Sequence, residues 1–279
     1  MHLHPTTWKS YRSGFNSWLN FSQKHHFPVV PTPTTMSNYV LYMSDSVNPS
    51  TIVTYLAGIV AHLEPFNPSV RDVRHSRLVS DTLAGTRRVF GVPPHRQPAM
   101  SVESLAQAIF PFGKVYNKHL WRTMALSGFT GILRPGELCD PDGYPRDPER
   151  RIARSSVHTQ HSFPAFTLPK SKNDPFGHSG LVVLRSFWKE LPTTSYFNIY
   201  LQVRDERFPW SSPLWIKADG EVPTRDWFMK RMKRYCPDQD LSGQSLRSGG
   251  ATALAALGIA PAHIQAWGRW SSEAWKIYV

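Results

Sequence analysis

GQSLRSGGATALAALGI, residues 243–259, sets an arginine inside a run of glycine and alanine, and this stretch decides how the C-terminal half is read. Its alanine content predicts a helix over Ser245–Leu257, because alanine gives up no side-chain entropy on entering a helix. Gly258 fits the C′ position, where chains commonly leave a helix in a left-handed conformation. Pro261 then suits the first turn of a second helix, which stops at Gly268. Directly after it comes GRWSSEAWKIYV, residues 268–279.

Moving outward toward the N-terminus, helical patterning returns from Thr224 onward. Residues 155–185 contain SFPAFTLPKSKNDPFGHSGLVVL, two apolar stretches flanking a turn-rich tract, which reads as a β-hairpin or small sheet. Before it stand TGILRPGEL (130–138), a helical stretch over 116–128, and SVESLAQAIF, a capped helix start. GVPPHRQPAM, residues 91–100, carries three prolines and suits an extended linker. The domain boundary is placed there, giving domains 1–97 and 98–279.

The first domain reads as a small helical bundle. Trp8, Tyr11, Phe15, Trp18 and Leu19 recur at helical spacing and predict a helix over residues 7–24. Met36, Tyr39, Val40 and Met43 repeat the spacing after the Pro28–Pro33 break. Ser50 is read as the N-cap of a third helix carrying Ile52, Tyr55, Leu56, Ile59, Val60 and Leu63. A fourth is expected over His75–Phe90. Such stripes are packing signatures first, so these residues are assigned to a core.

Composition narrows the function. Hydrophobic residues make up 41% of the 279, too many for a disordered chain, yet no run reaches the roughly 18–20 apolar residues that span a bilayer. The N-terminus carries no secretory pattern, so an intracellular protein without a membrane partner is expected. Two cysteines, Cys139 and Cys236, imply neither a disulfide framework nor a thiolate metal site. The net charge of +12, positive in both domains, points to a polyanionic partner, with nucleic acid first. Phosphate-loop, zinc-protease and serine-hydrolase signatures are missing, and no metal or cofactor is expected. KRMKR (230–234) reads as a nuclear-import signal or as the solvated side of a helix whose Trp227, Phe228, Met229 and Met232 face a core.

Four pieces, TGILRPGEL, LPKSKNDPFG (168–177), GQSLRSGGATALAALGI and GRWSSEAWKIYV, together resemble the catalytic half of tyrosine recombinases. The likeness is closest to the versions carried by DIRS-like and Crypton-type eukaryotic mobile elements. SYRSGFNSWLNF (10–21) and NPSTIVTYLAGI (48–59) resemble that family's core-binding domain, so the likeness covers nearly the whole chain. It implies a mainly α protein with a small β-hairpin: an N-terminal helical, SAM-like core-binding domain and a C-terminal catalytic domain. The implied function is site-specific cleavage and rejoining of double-stranded DNA, held in a C-shaped clamp by a dimer or tetramer in the nucleus.

Carried over by position, the resemblance makes Arg134 and Arg247 the two arginines that neutralise charge on the attacked phosphate. Guanidinium forks suit that task because they are permanently charged, directed donors. Lys172 corresponds to the lysine that protonates the departing 5′-oxygen, with Lys170 as its rival. Trp270 stands where the family carries His or Trp, its indole N–H able to donate to a phosphate oxygen. Tyr278 matches the nucleophile, which forms a 3′-phosphotyrosine and conserves the bond energy for religation. Gln244 departs from the pattern, which has histidine there. A carboxamide cannot titrate, so proton transfer is expected to weaken or to pass through water or another group, with His178 and His263 as conceivable substitutes. The sequence given ends at Val279, whereas family members commonly continue into a segment that couples protomers, and that coupling is expected to be affected. A catalytically impaired DNA-binding protein is the alternative, and a type IB topoisomerase-like relaxase is a third reading.

Overall fold

The computed structural model describes residues 5–93, 97–110, 115–143, 146–159, 163–169 and 180–277. The chain divides into two compact units, Met1–His95 and Arg96–Val279. Among the described residues no helix is long and apolar enough to cross a membrane.

The first unit is all helical: α1 (Pro5–Lys24), α2 (Pro33–Ser44), α3 (Pro49–Leu63), α4 (Val70–His75) and α5 (Arg77–Phe90). The expected stripes meet in one core, where Trp18, Met36, Tyr39, Val40, Ile52, Leu56, Ile59 and Val79 are buried. The Trp18 indole also donates to the Val29 carbonyl at 2.8 Å, which ties the proline-rich connection to α1. His62 is stacked between the rings of Trp8 and Phe15. Two details differ from the sequence reading. The N-cap of α3 is Asn48, whose side chain accepts from the Ser50 amide, because Pro49 takes the first helical position with its φ already set. The expected fourth helix is α5, which starts at Arg77 after an extended Ser76 with ψ of 149°, and the short α4 before it is an addition to the sequence reading.

The second unit is built around α7 (Tyr116–Thr130), in which every residue from His119 to Thr130 is buried. Two buried hydroxyls in it return to the helix's own carbonyls, Thr123 to His119 and Thr130 to Leu126. Around it stand α6 (Val102–Ile109), capped by Ser101, the short α8 (Pro135–Leu138), α9 (Thr193–Arg207), α10 (Arg225–Tyr235), α11 (Ser245–Ala256) and α12 (Pro261–Trp267). The only sheet among the described residues pairs β1 (Ala165–Thr167) antiparallel to β2 (Leu181–Val183), with Phe166 opposite Val182. In α10, Phe228 and Met232 are buried while Lys230, Lys233 and Arg234 are exposed, so KRMKR is the outer side of a packed helix.

Helix α9 is missing from the sequence reading, which resumed helices only at Thr224. Its inward face, Thr193, Tyr196, Phe197, Tyr200, Leu201 and Arg204, keeps helical spacing. The pattern is blurred because Ile199 and Val203 lie outside while an arginine lies inside. Arg204 is buried because its guanidinium organises the next loop: it donates to the carbonyls of Phe208 and Pro213 at 3.0 and 2.8 Å, and to that of Ser211.

The glycines of the decisive stretch are explained by contact distance. A Cβ on Gly250 would strike the Phe129 carbonyl oxygen, and one on Gly249 the Met100 carbonyl oxygen. Helix α11 therefore lies against the end of α7 as only glycine permits.

Candidate active site

At the end of α7 the chain turns in a Schellman-type closure, with the Leu133 amide bonded to the Gly128 carbonyl at 2.8 Å and that of Ile132 to Phe129 at 3.3 Å. The left-handed position in this turn, usually glycine, is Ile132, with φ of 50°. A β-branched residue in that region is an outlier, costing on the order of 1–2 kcal/mol. The side chain is held by burial among Ala251, Leu254 and Ile264. The turn presents the Ile132 carbonyl to α11 and sends Leu133 and Arg134 toward α8.

Arg247 arrives from α11 and is 2% exposed. Its Nη1 donates to the Ile132 carbonyl at 2.6 Å and its Nη2 to the Gly268 carbonyl at 2.5 Å. Two of its five N–H donors thus fix the plane of the fork. The Trp270 ring lies over it, centroid 4.0 Å from Cζ, a cation–π stack. This contact depends on Gly268, since a Cβ there would run into the Trp270 ring.

Arg134 is the N-cap of α8 and the more accessible arginine, its side chain 40% exposed. Its amide donates to Glu137 Oε2 at 2.8 Å and its Nη1 to Glu137 Oε1 at 3.2 Å. One carboxylate therefore fixes both the backbone and the head group of Arg134.

Between Gly268 and Trp270 stands a third arginine that the sequence reading passed over. Arg269 has φ of 56° and donates to the carbonyls of Trp267 at 2.8 Å, Ile132 at 3.2 Å and Gly131 at 3.4 Å. Its Nη2 also lies 3.7 Å from Glu137 Oε2. Burial lowers its pKa from the ordinary arginine value, Glu137 opposes that shift, and Arg134 adds to it. Two guanidiniums, Arg134 and Arg269, thus share one carboxylate, and with Arg247 on the same turn a local excess of positive charge suited to an anion remains. Glu137 was legible in principle, since three residues after an N-cap is the capping-box spacing. Arg269 had no periodic signal, only its place between a glycine and a tryptophan.

Gln244 is the N-cap of α11, with an exposed side chain that makes no hydrogen bond among the described residues. Its backbone carbonyl accepts from the Ser248 amide and hydroxyl at 2.9 and 3.0 Å. His263 is exposed on α12. Lys172, its rival Lys170, His178 and Tyr278 lie outside the described residues. The chain leading to Tyr278 is a 3-10 turn, Glu273–Ile277, anchored by buried Trp275. No group of three or more His, Cys, Asp or Glu among the described residues could hold a metal ion.

By fold, the chain matches the tyrosine recombinases. It is similar to the XerH site-specific recombinase bound to difH substrate in a pre-cleavage complex, at 12% identity and a TM-score of 0.67, covering 97% of this chain and 75% of that one. A lambda integrase dimer bound to a COC′ core site gives 11% identity and 0.62, over 99% and 89%. The Tn1549 transposon integrase in complex with circular intermediate DNA gives 17% identity and 0.60, over 90% and 82%. No protein-family model and no curated protein matches the sequence.

Proposed function

We propose that this chain is a DNA strand-exchange enzyme of the tyrosine recombinase type, from a mobile element, acting on duplex DNA in the nucleus as a homo-oligomer. The observation that carries the reading is the junction of Arg134, Arg247 and Trp270. They come from separate stretches of sequence: Arg247 holds the Ile132 carbonyl of the turn that leads to Arg134, and Trp270 stacks on Arg247, in a fold shared with recombinases solved on DNA. Unit 1 serves as the core-binding domain and unit 2 as the catalytic domain.

In this mechanism the Tyr278 hydroxyl passes its proton to water, its oxygen attacks the phosphorus of a phosphodiester and the bond to the 5′-oxygen breaks. A 3′-phosphotyrosine and a 5′-hydroxyl result, the latter protonated by Lys172. Arg134 and Arg247 stabilise the charge that gathers on the nonbridging oxygens. Trp270 holds the Arg247 fork from above and donates its indole N–H to the phosphate. Rejoining is the same step reversed, with another 5′-hydroxyl as attacker.

A second reading, a DNA-binding protein with impaired catalysis, is favoured by one feature. Gln244, where the resemblance calls for a proton-handling histidine, is neutral and exposed. A nicked suicide duplex separates the two readings. The strand-exchange reading requires a covalent adduct that maps to Tyr278, whereas tight binding without an adduct leaves only the binding protein.

A further inference from the structure

Arg269 joins the turn that leads to Arg134, the Glu137 carboxylate and the chain that enters β2. It bonds the Gly131 and Ile132 carbonyls of the turn that leads to Arg134. It shares the Ile132 oxygen with Arg247. It stands beside the carboxylate that holds Arg134. Its stem packs against Gly180, just before β2, where an added Cβ would lie 2.6 Å from Arg269 Cδ. Gly180 ends the connection in which Lys172 falls.

We infer that Arg269 is a positioning residue: its guanidinium locks the 131–132 turn and the Glu137 carboxylate, and through them sets where Arg134 and Arg247 stand. The chemistry it serves rests on the strand-exchange reading above. Two features mark the residue as more than a packed surface charge. Its backbone is held in the left-handed region, which few side chains adopt without compensation. Its charge is also kept in a half-buried place, where desolvation opposes the charged form. Carbonyls from three consecutive or nearby residues and one carboxylate supply the compensation. A lysine ammonium is a point charge and cannot span that set, whereas a planar fork can.

The test uses the full chain with Arg269→Gln and Arg269→Lys. Residue-resolved hydrogen exchange reads the positioning without any reaction. In Arg269→Gln the amides of Leu133 and Arg134, bonded to Gly128 and Glu137, should lose protection on the order of tenfold, while that of Leu254 within α11 keeps its own. Unchanged protection, or an equal loss at all three amides, overturns the inference, the latter because it reports general destabilisation.

Single-turnover cleavage of a suicide duplex reads the consequence. Arg269→Gln should slow it by roughly 10²-fold, the usual effect of misplacing reacting groups by about 1 Å. Duplex affinity should shift by less than about threefold, and Arg269→Lys should recover part of the rate. Cleavage at the parental rate, or equal losses of cleavage and affinity, overturns the inference and leaves the strand-exchange reading standing. A parent chain that forms no adduct removes that reading, and the exchange measurement still decides whether Arg269 positions Arg134.

Discussion

Arg247 and Arg269 donate to one acceptor, the carbonyl oxygen of Ile132, at 2.6 and 3.2 Å. A carbonyl oxygen has two lone pairs, so a single backbone atom can orient two like charges. Their mutual repulsion is offset by backbone dipoles and by Glu137, and what remains is a preset positive field. A phosphate entering such a place meets charges that need not reorganise, which is the condition for strong transition-state stabilisation.

Tyr278→Phe removes only the oxygen proposed to attack phosphorus. The covalent adduct should vanish while duplex affinity stays nearly constant, as gel retardation and denaturing electrophoresis of the same reactions can show. An adduct that persists in the phenylalanine variant would mean another nucleophile.

Replacing either Arg134 or Arg247 by lysine keeps the charge and loses the fork. Cleavage should fall by far more than binding, because the paired donors matter most when charge gathers on the phosphate. For Arg247 a loss of stability should accompany this, since the Gly268 carbonyl gives up its partner and the Ile132 carbonyl keeps only Arg269. Equal falls in rate and affinity at both positions would recast them as ordinary phosphate contacts.

Gln244→His restores a titratable group at the head of α11. Cleavage should rise by about 10²-fold at neutral pH, the usual worth of general acid–base catalysis. The imidazole is a base only when neutral, so the gain should grow as pH climbs through about 6–7, a step that the parent lacks. A histidine variant no faster than the parent would show that another group already takes the proton.

Ile132→Gly sets two effects against each other. Relief of the left-handed backbone gains about 1–2 kcal/mol, whereas removing the buried side chain from among Ala251, Leu254 and Ile264 costs about 2–5 kcal/mol. Burial should win, with a net loss on the order of 2 kcal/mol in denaturant unfolding. A glycine variant as stable as the parent would mean that backbone strain at Ile132 cancels all that its buried side chain contributes.

Periodicity made most of the fold legible. The stripes of α1 to α3, the Ser101 cap, the alanine-rich α11 and the proline start of α12 are local signals that tertiary packing left in place. Helix α9 was hidden because its outward Ile199 and Val203 and inward Arg204 invert the usual contrast. Helix α4 was hidden because it is six residues long and buries only Val70, too short for a periodic stripe. Within the candidate site, Arg134, Arg247 and Trp270 were proposed from short motifs, and the contacts of Arg247 with Ile132 and Trp270 bring parts of those motifs together. The role of Ile132 could not, since it is a backbone oxygen aimed by an unfavourable φ in a residue chosen for its burial. Arg269 was missed for a related reason: its partners are mostly main-chain atoms, which carry no sequence signature.

The enclosure of α7 has a thermal consequence. The turn that bears Arg134 and Ile132 continues directly from a helix buried along its length from His119, so while Arg269 holds it closed its opening is tied to the middle of the unit. Segments of that kind exchange and unfold only near the global free energy, unlike loops that fray early. On heating, the ability to grip a phosphate should therefore persist up to the cooperative transition and vanish with it. Phosphate or short-duplex binding followed alongside circular dichroism checks this, and binding lost well below the transition would place the weak point in the site itself.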